Sequence, residues 1–314
     1  MIVDGAATDH TVLTLSHWPH SGTPAELADD LSAQIVFRYL DRPDLKAGAD
    51  IVSNNHIDED GLVSVWAMVN PEEAQLRRDL LIDVAAAGDF GTYQDRRAAR
   101  IAFAISTYAD PDQSPLGSEL ATLEYPDLVV ALFDELLPQL GAICDGIDAR
   151  RTLWEAEDAI LTESQAGIAS GAVTIDEVRG LDLAVVTVPE HWERRRVHRF
   201  TQRRTEVIHP MAVHNATNCL RVLVVQGRRY RFYDRYESWV QYVTRKPMPR
   251  VDLTPLAARL SGLEREGNWH ADGADYIAPV LRLRGAEESS VDLTSFRGEL
   301  ERHLADAPPA WDPY

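Results

Sequence analysis

The chain reads as an α/β protein, with a parallel-sheet N-terminal domain and a smaller α/β C-terminal domain. Three observations predict this. Short apolar segments alternate with helical patterns near the start, the grammar of strands joined by crossover helices. Polar loops follow those segments, where open α/β sheets place their sites. The composition then changes at HWERRRVHRFTQRR, residues 191–204, where arginines crowd an otherwise acidic chain. That change sets the boundary at about residue 180, dividing the chain into 1–180 and 181–314.

Each element has its own warrant. Thr11–Leu15 is a short strand, and SHWPHSGT after it is a loop by its Pro and Gly content. Thr23-Pro-Ala-Glu26 supplies an N-cap, a Pro at the first turn and a Glu three residues on, so a helix should run to about Tyr39. Ala49–Ser53 is a second strand, 54–60 a loop, and Gly61–Val69 an apolar helix. Asn70-Pro-Glu-Glu73 repeats the start signal for a helix to Ala87, ended by Gly88. Asp95–Tyr108 is helical with Ala98, Ile101, Ala102 and Ile105 on one face, and helical patterns continue between Tyr125 and Ser170. Leu181–Val188 is a buried strand, and Leu220–Val225 with Tyr230–Tyr233 forms a hairpin around QGRR. A helix at 256–266, a strand at 276–283 and a helix at 294–304 complete the order.

The totals narrow the function classes. The net charge is −19, which repels a phosphate backbone at long range and argues against duplex nucleic acid as a partner. No apolar run is long enough to span a bilayer, and MIVDGAATDH lacks the pattern of a secretory leader, so a cytoplasmic, non-membrane protein is expected. Cys144 and Cys219 are the only cysteines and are expected as free, buried thiols. Lysine occurs only at Lys46 and Lys246. No Gly-x-Ser-x-Gly, Walker loop, Cys-x-x-Cys or His-Glu-x-x-His occurs.

The segment VSNNHIDEDGLVSVW, residues 52–66, carries the chemistry. Residues two apart on an extended chain point to one side, so His56, Asp58 and Asp60 should converge. Converging carboxylates and an imidazole repel without a cation, and that donor set suits Mn²⁺, with Mg²⁺, Fe²⁺ or Zn²⁺ as alternatives. The plainer account is a helix cap with solvated neighbours. Gly61 lets the chain turn, and free N–H groups at the helix start favour an anion such as a metal-held phosphate. Strand-end geometry brings in His17 and His20 from the preceding loop. Asp89, after Gly88, and Asp83, amid apolar helix neighbours, are further metal candidates.

His56-Ile-Asp-Glu-Asp-Gly-Leu-Val-Ser64 resembles the first motif of the DHH phosphoesterase superfamily. The resemblance implies two α/β domains with the site in the cleft between them. It also implies manganese-dependent hydrolysis of a phosphoester or phosphoanhydride, with Asp58 and Asp60 on the metal and His56 in the same site. The Asp-His-His triplet of that superfamily is absent, and so is its glycine-rich C-terminal segment; His17 and His20 are the expected substitutes. A metal-activated water would attack, and His17, His20 or His214 would protonate the leaving oxygen.

Substrate groups are expected from His214, Asn215 and Asn218 in HPMAVHNATN, and from Arg196 in the arginine-rich segment. An Asx-knitted turn and a solvated helix face are the plainer accounts of those two segments. The expected substrate is a small phosphorylated molecule or short oligonucleotide, and the sequence leaves a homodimer open. Two rival readings stand: a non-catalytic ligand-binding or assembly protein on a degenerate DHH-like fold, and a metal hydrolase acting on a non-phosphate bond.

Overall fold

A computed structural model of the chain describes residues 1–45 and 47–314, a mixture of helix and strand. The residues form two compact units. Unit 1 contains 1–163, 194–211 and 242–244; unit 2 contains 164–193, 212–241 and 245–314. A boundary at residue 180 therefore falls inside unit 2, and the chain returns to unit 1 twice after leaving it.

Unit 1 begins with β1 (Ile2–Val3) and β2 (Thr14–Leu15), paired in parallel. Ile2 also bridges Ser53 in parallel. That bridge is all that forms of the strand expected at 49–53. Ile51, which would have been buried in such a strand, is 74% exposed. The sheet is thus minimal, and helices do most of the packing: α1 (Ser32–Leu40), α2 (Glu59–Val69), α3 (Pro71–Leu76), α4 (Arg78–Asp89), α5 (Arg96–Ala109), α6 (Tyr125–Leu136), α7 (Leu140–Asp145) and α8 (Glu155–Ala169). α2 packs against α1 and α4, and α4 against α5. Every α2 residue from Glu59 to Ala67 is buried, so it is the central helix, and the acids in its first turn are carried inside with it.

The helix expected from Thr23 to Tyr39 breaks in two: a 3₁₀ turn at Ala25–Leu27, then α1. Residues 28–31 stay outside the helix, and Asp30 is engaged elsewhere. Its carboxylate accepts from the Val243 N–H at 2.6 Å and from the N–H and hydroxyl of Thr244. Local helix signals lose here to tertiary bonds made by a segment more than 200 residues away.

Along the chain, unit 2 opens with β3 (Thr174–Val178) and β4 (Leu183–Val188). The arginine-rich segment then returns to unit 1 as an antiparallel hairpin, β5 (Arg195–Arg199) and β6 (Gln202–Glu206), rather than as a helix face. After α9 (Pro210–Ala216) come β7 (Arg221–Gln226), β8 (Arg229–Asp234), β9 (Arg250–Val251), α10 (Thr254–Leu263), β10 (Asn268–Ala271), β11 (Val280–Arg284), α11 (Leu293–Asp306) and β12 (Pro309–Trp311). The main sheet of unit 2 has the order β10-β11-β8-β7-β4-β3, parallel only between β4 and β7. Leu183, Leu223, Phe232 and Leu281 from the sheet meet Leu256, Leu260, Phe296 and Leu300 from α10 and α11 in its core. Gly227 makes the β7–β8 turn at φ 56. Cys144 and Cys219 are free and buried. Among the described residues, no helix is long and apolar enough to cross a membrane.

Candidate metal centre

Six side chains of unit 1 assemble where the short parallel strands end and the central helix begins. Asp4 follows β1 at φ 47, a left-handed conformation that is uncommon for a residue other than glycine. His17 follows β2. His56 and Asp58 end the loop before α2, Asp60 sits in its first turn, and Asp89 is the last residue of α4. They form two sets that share Asp4: Asp4, His17, Asp60 and Asp89, and Asp4, His56 and Asp58. Within each set one ligand-type atom per residue lies within 4.8 Å of the others.

The inner set is sealed, with side-chain exposures of 0–1%. His17 Nδ1 lies 2.6 Å from the Asp30 carbonyl, so that nitrogen donates. Burial lowers the pKa of His17 and favours the neutral ring, whose Nε2 then carries a lone pair. That lone pair faces carboxylate oxygens of Asp89 at 3.3 Å, Asp4 at 3.6 Å and Asp60 at 3.9 Å. Neither oxygen of Asp89 finds a hydrogen-bond partner among the described residues. Burial, then the charges of neighbouring acids, raises the pKa of Asp60 and of Asp89 well above the ordinary range. Asp60 is held from its far side by the Ser32 and Ala33 N–H groups at 2.8 and 2.7 Å, which are orphan donors at the start of α1.

The outer set reaches solvent, with His56 18% and Asp58 10% exposed at the side chain. Asp58 caps α2 by accepting from the Gly61 N–H at 2.8 Å, and His56 Nε2 lies 2.9 Å from its other oxygen. Asp4 Oδ2 accepts no well-aligned hydrogen bond, although His56 Nε2 is 3.2 Å away. Burial would lower the His56 pKa, but the Asp58 and Asp4 carboxylates outweigh it and push it up to about 12. In the metal-free protein His56 is thus the counter-charge of the outer set. Gly61 is required for space rather than for its turn: a Cβ there would lie 2.5 Å from Asn54 Nδ2 and 3.1 Å from Asp4 Oδ2.

The whole chain, residues 1–314, matches the model of a family of unknown function, DUF6687. The chain belongs to that family. No curated protein and no solved structure matches it.

This DUF6687 chain brings together five of the residues expected from sequence, His17, His56, Asp58, Asp60 and Asp89, but by another route than strand alternation. α2 starts at Glu59, so Asp58 is the cap and Asp60 already lies on the helix. Of the N–H groups at the start of α2 that were expected to attract a phosphate, that of Gly61 is taken by Asp58. Asp4 escaped the sequence reading because a lone Asp before a Gly, near the terminus, looks like a turn.

The remaining candidates lie elsewhere. His20 is exposed at φ 56 and belongs to neither set. Asp83 also belongs to neither; its carboxylate accepts from the Gln94 N–H at 2.9 Å and the Asp95 N–H at 2.7 Å, fixing the turn into α5. Arg196 pairs with Asp110 and, at 3.4 Å, with Asp112, so its charge is spent within unit 1. His214 and Asn215 are on α9, a helix where a turn was expected, and Asn218 is in the loop after it, all in unit 2. His214 Nε2 lies 3.1 Å from the Tyr233 hydroxyl. Tyr230, Phe232 and Tyr236 of unit 2 are core residues.

Proposed function

We propose that the chain is a manganese-dependent hydrolase of a phosphoester or phosphoanhydride, built on a divergent DHH-like α/β architecture. The observation that carries the metal reading is the buried Asp89 carboxylate, neither oxygen of which has a hydrogen-bond partner among the described residues although it is gathered with Asp4, His17 and Asp60. Three buried acids and an imidazole so close together must either give up charge by protonation or share a cation. The residues fit that cation chemically: imidazole and carboxylates suit Mn²⁺, and the Asp30 carbonyl fixes the His17 tautomer in the manner of ligand-orienting groups. His17, Asp60 and Asp89 would hold one ion, His56 and Asp58 a second, and Asp4 would serve both. Such ions would supply Lewis acidity toward phosphoryl oxygens and a water of lowered pKa.

The chain's own groups must give up protons first. Asp60 and Asp89 are pushed toward the protonated form, and His56 is held protonated. Mn²⁺ uptake should therefore release protons, which calorimetry in buffers of different ionisation enthalpy measures directly. The functional test is hydrolysis of an aryl phosphodiester with added Mn²⁺, lost in Asp58→Ala and Asp60→Ala proteins that remain folded. No proton release and no Mn²⁺ uptake by the wild type would end the reading.

A second reading has its own support. The inner set is closed to solvent, as expected of a cation held for structure. On that reading the protein binds a ligand or assembles without catalysis. Mn²⁺ uptake with no hydrolysis would favour it, whereas hydrolysis sensitive to Asp58→Ala, on the outer set, would favour the enzyme.

A further inference from the structure

We propose that the turn of the β5–β6 hairpin is a clamp on the segments that carry the ion-binding acids, with Arg199 as the positioning residue for Asp89. The proposal rests on the metal reading above for its functional meaning, but its geometry stands apart from it.

Asp89 poses the problem. Its carboxylate has no hydrogen-bond partner among the described residues, so no neighbouring side chain orients it through such a bond. Its aim at His17 depends on where the backbone at the end of α4 is held. Arg199 holds it there. One guanidinium N–H group donates to the Gly88 carbonyl and another to the Asp89 carbonyl, both at the helix end where carbonyls lack intrahelical partners. The same guanidinium lies 4.0 Å from the Phe200 ring centroid, which fixes its plane. Beside it, the Thr201 hydroxyl lies 3.1 Å from the Ile57 carbonyl, one residue before Asp58, and 2.7 Å from the Phe200 carbonyl. One turn thus touches the backbone adjoining a ligand of each set.

The turn is costly to make. Phe200 and Thr201 both adopt left-handed conformations, φ 51 and 53, in a two-residue hairpin turn where Asn and Gly are the usual occupants. A bulky ring and a β-branched residue in that region persist only where the surroundings over-determine them. The surroundings do so. His198 donates its backbone N–H to Glu157 at 2.7 Å, and its ring bridges Glu157 at 2.5 Å and Asp110 at 3.0 Å. Arg196 and Arg203 bind Asp110 and Asp112 from the same hairpin. An anchored hairpin that presents a strained tip to two ligand-bearing segments is a device for fixing those segments, beyond what a helix cap requires.

The test uses the full chain with Arg199→Ala and Arg199→Lys. Hydrogen exchange of the metal-free proteins should accelerate about tenfold at 57–62 and 86–92 in Arg199→Ala, with α6 and α10 at wild-type rates. Arg199→Lys should recover part of the protection. Mn²⁺ affinity should fall about tenfold in Arg199→Ala, the scale of losses when a ligand-orienting group is removed, and recover in parallel with the protection. Unchanged exchange in the two segments, or a uniform increase throughout unit 1, would overturn the clamp. A wild type that takes up no Mn²⁺ would remove the metal reading alone, and the exchange pattern would still decide whether the hairpin grips these segments.

Discussion

Unit 1 contains two buried gatherings of acids and histidines, and they differ in one respect. Around Glu157, the charges are answered. His198 and His209 approach its carboxylate at 2.5 and 3.4 Å, and His198 with Arg196 and Arg203 answers Asp110. Around the inner set they are answered only at its edge, where His56 faces Asp4. Asp4, Asp60 and Asp89 surround a neutral His17, and oxygens of Asp4 and Asp89 go without a hydrogen bond. Residue content is nearly the same, and charge balance separates the two. A gathering with its counter-charges built in is scaffold; one that lacks them is, on the metal reading proposed above, a site for a cation.

The shared acid should break the comparison most severely. Asp4→Asn removes a donor oxygen and a charge from both sets while keeping the shape of the side chain, and Asn tolerates the left-handed backbone. Mn²⁺ affinity should fall by about a thousandfold, ~4 kcal/mol. The metal-free protein should lose about 1–2 kcal/mol, because the attraction of His56, which against burial holds the Asp4 carboxyl below its ordinary pKa, is only partly offset by relief of repulsion from Asp60 and Asp89. Metal titration paired with metal-free thermal melts measures both. A large metal-free loss would show Asp4 to be scaffold.

Glu157→Gln should give the mirror image. Removing one partner of a buried, hydrogen-bonded pair costs about 3 kcal/mol, while Mn²⁺ uptake by the folded protein should stay within about tenfold of wild type. The same pair predicts a pH profile. Burial would raise the Glu157 pKa, but His198 and His209 outweigh it and lower it from 4.5 to about 2. Its contribution, about 3 kcal/mol by linkage, is present above 4.5 and lost as pH falls toward 2. His198 is raised above its ordinary 6.5 against its burial, by Glu157 and then Asp110. Its contribution is complete below 6.5 and is lost as pH rises through the folded value. The pair therefore stabilises most between about 4.5 and 6.5. Denaturant melts across pH, wild type against Glu157→Gln, should differ most in that window; a difference independent of pH would assign the pair no role.

The two gatherings also differ in how far the sequence revealed them. HIDEDG announced itself because its acids and imidazole are crowded within one short segment; strand-end geometry offered His17 only together with His20, and the turn after Gly88 offered Asp89 beside Asp83. Asp4 needed the left-handed turn that aims it inward, which one residue in sequence does not announce. The Glu157 gathering draws on three segments far apart in the chain, and its hairpin was hidden by arginines that gave no alternating pattern. α10, α11 and the β7–β8 hairpin were legible because their burial follows a local period. The break between residues 27 and 32 was not, since it depends on Val243 and Thr244 reaching Asp30.

The finest division lies within one helix. Asp83 and Asp89 are six positions apart on α4, which sets them roughly 120° apart around its axis. Asp89 faces the inner set, while Asp83 is half-buried against Gln94 and Asp95, whose N–H groups it accepts. An acid that already has its donors needs no ion. Asp83→Asn keeps one carbonyl oxygen for those donors and should cost at most about 1 kcal/mol, the scale of a lost cap, reduced by solvent screening at a half-exposed site. Its Mn²⁺ affinity should equal that of the wild type, whereas Asp89→Asn should lose Mn²⁺ at the inner set with little change in metal-free stability. Equal Mn²⁺ losses in the two variants would mean that charge at this end of α4, rather than the aim of one carboxylate at His17, governs binding.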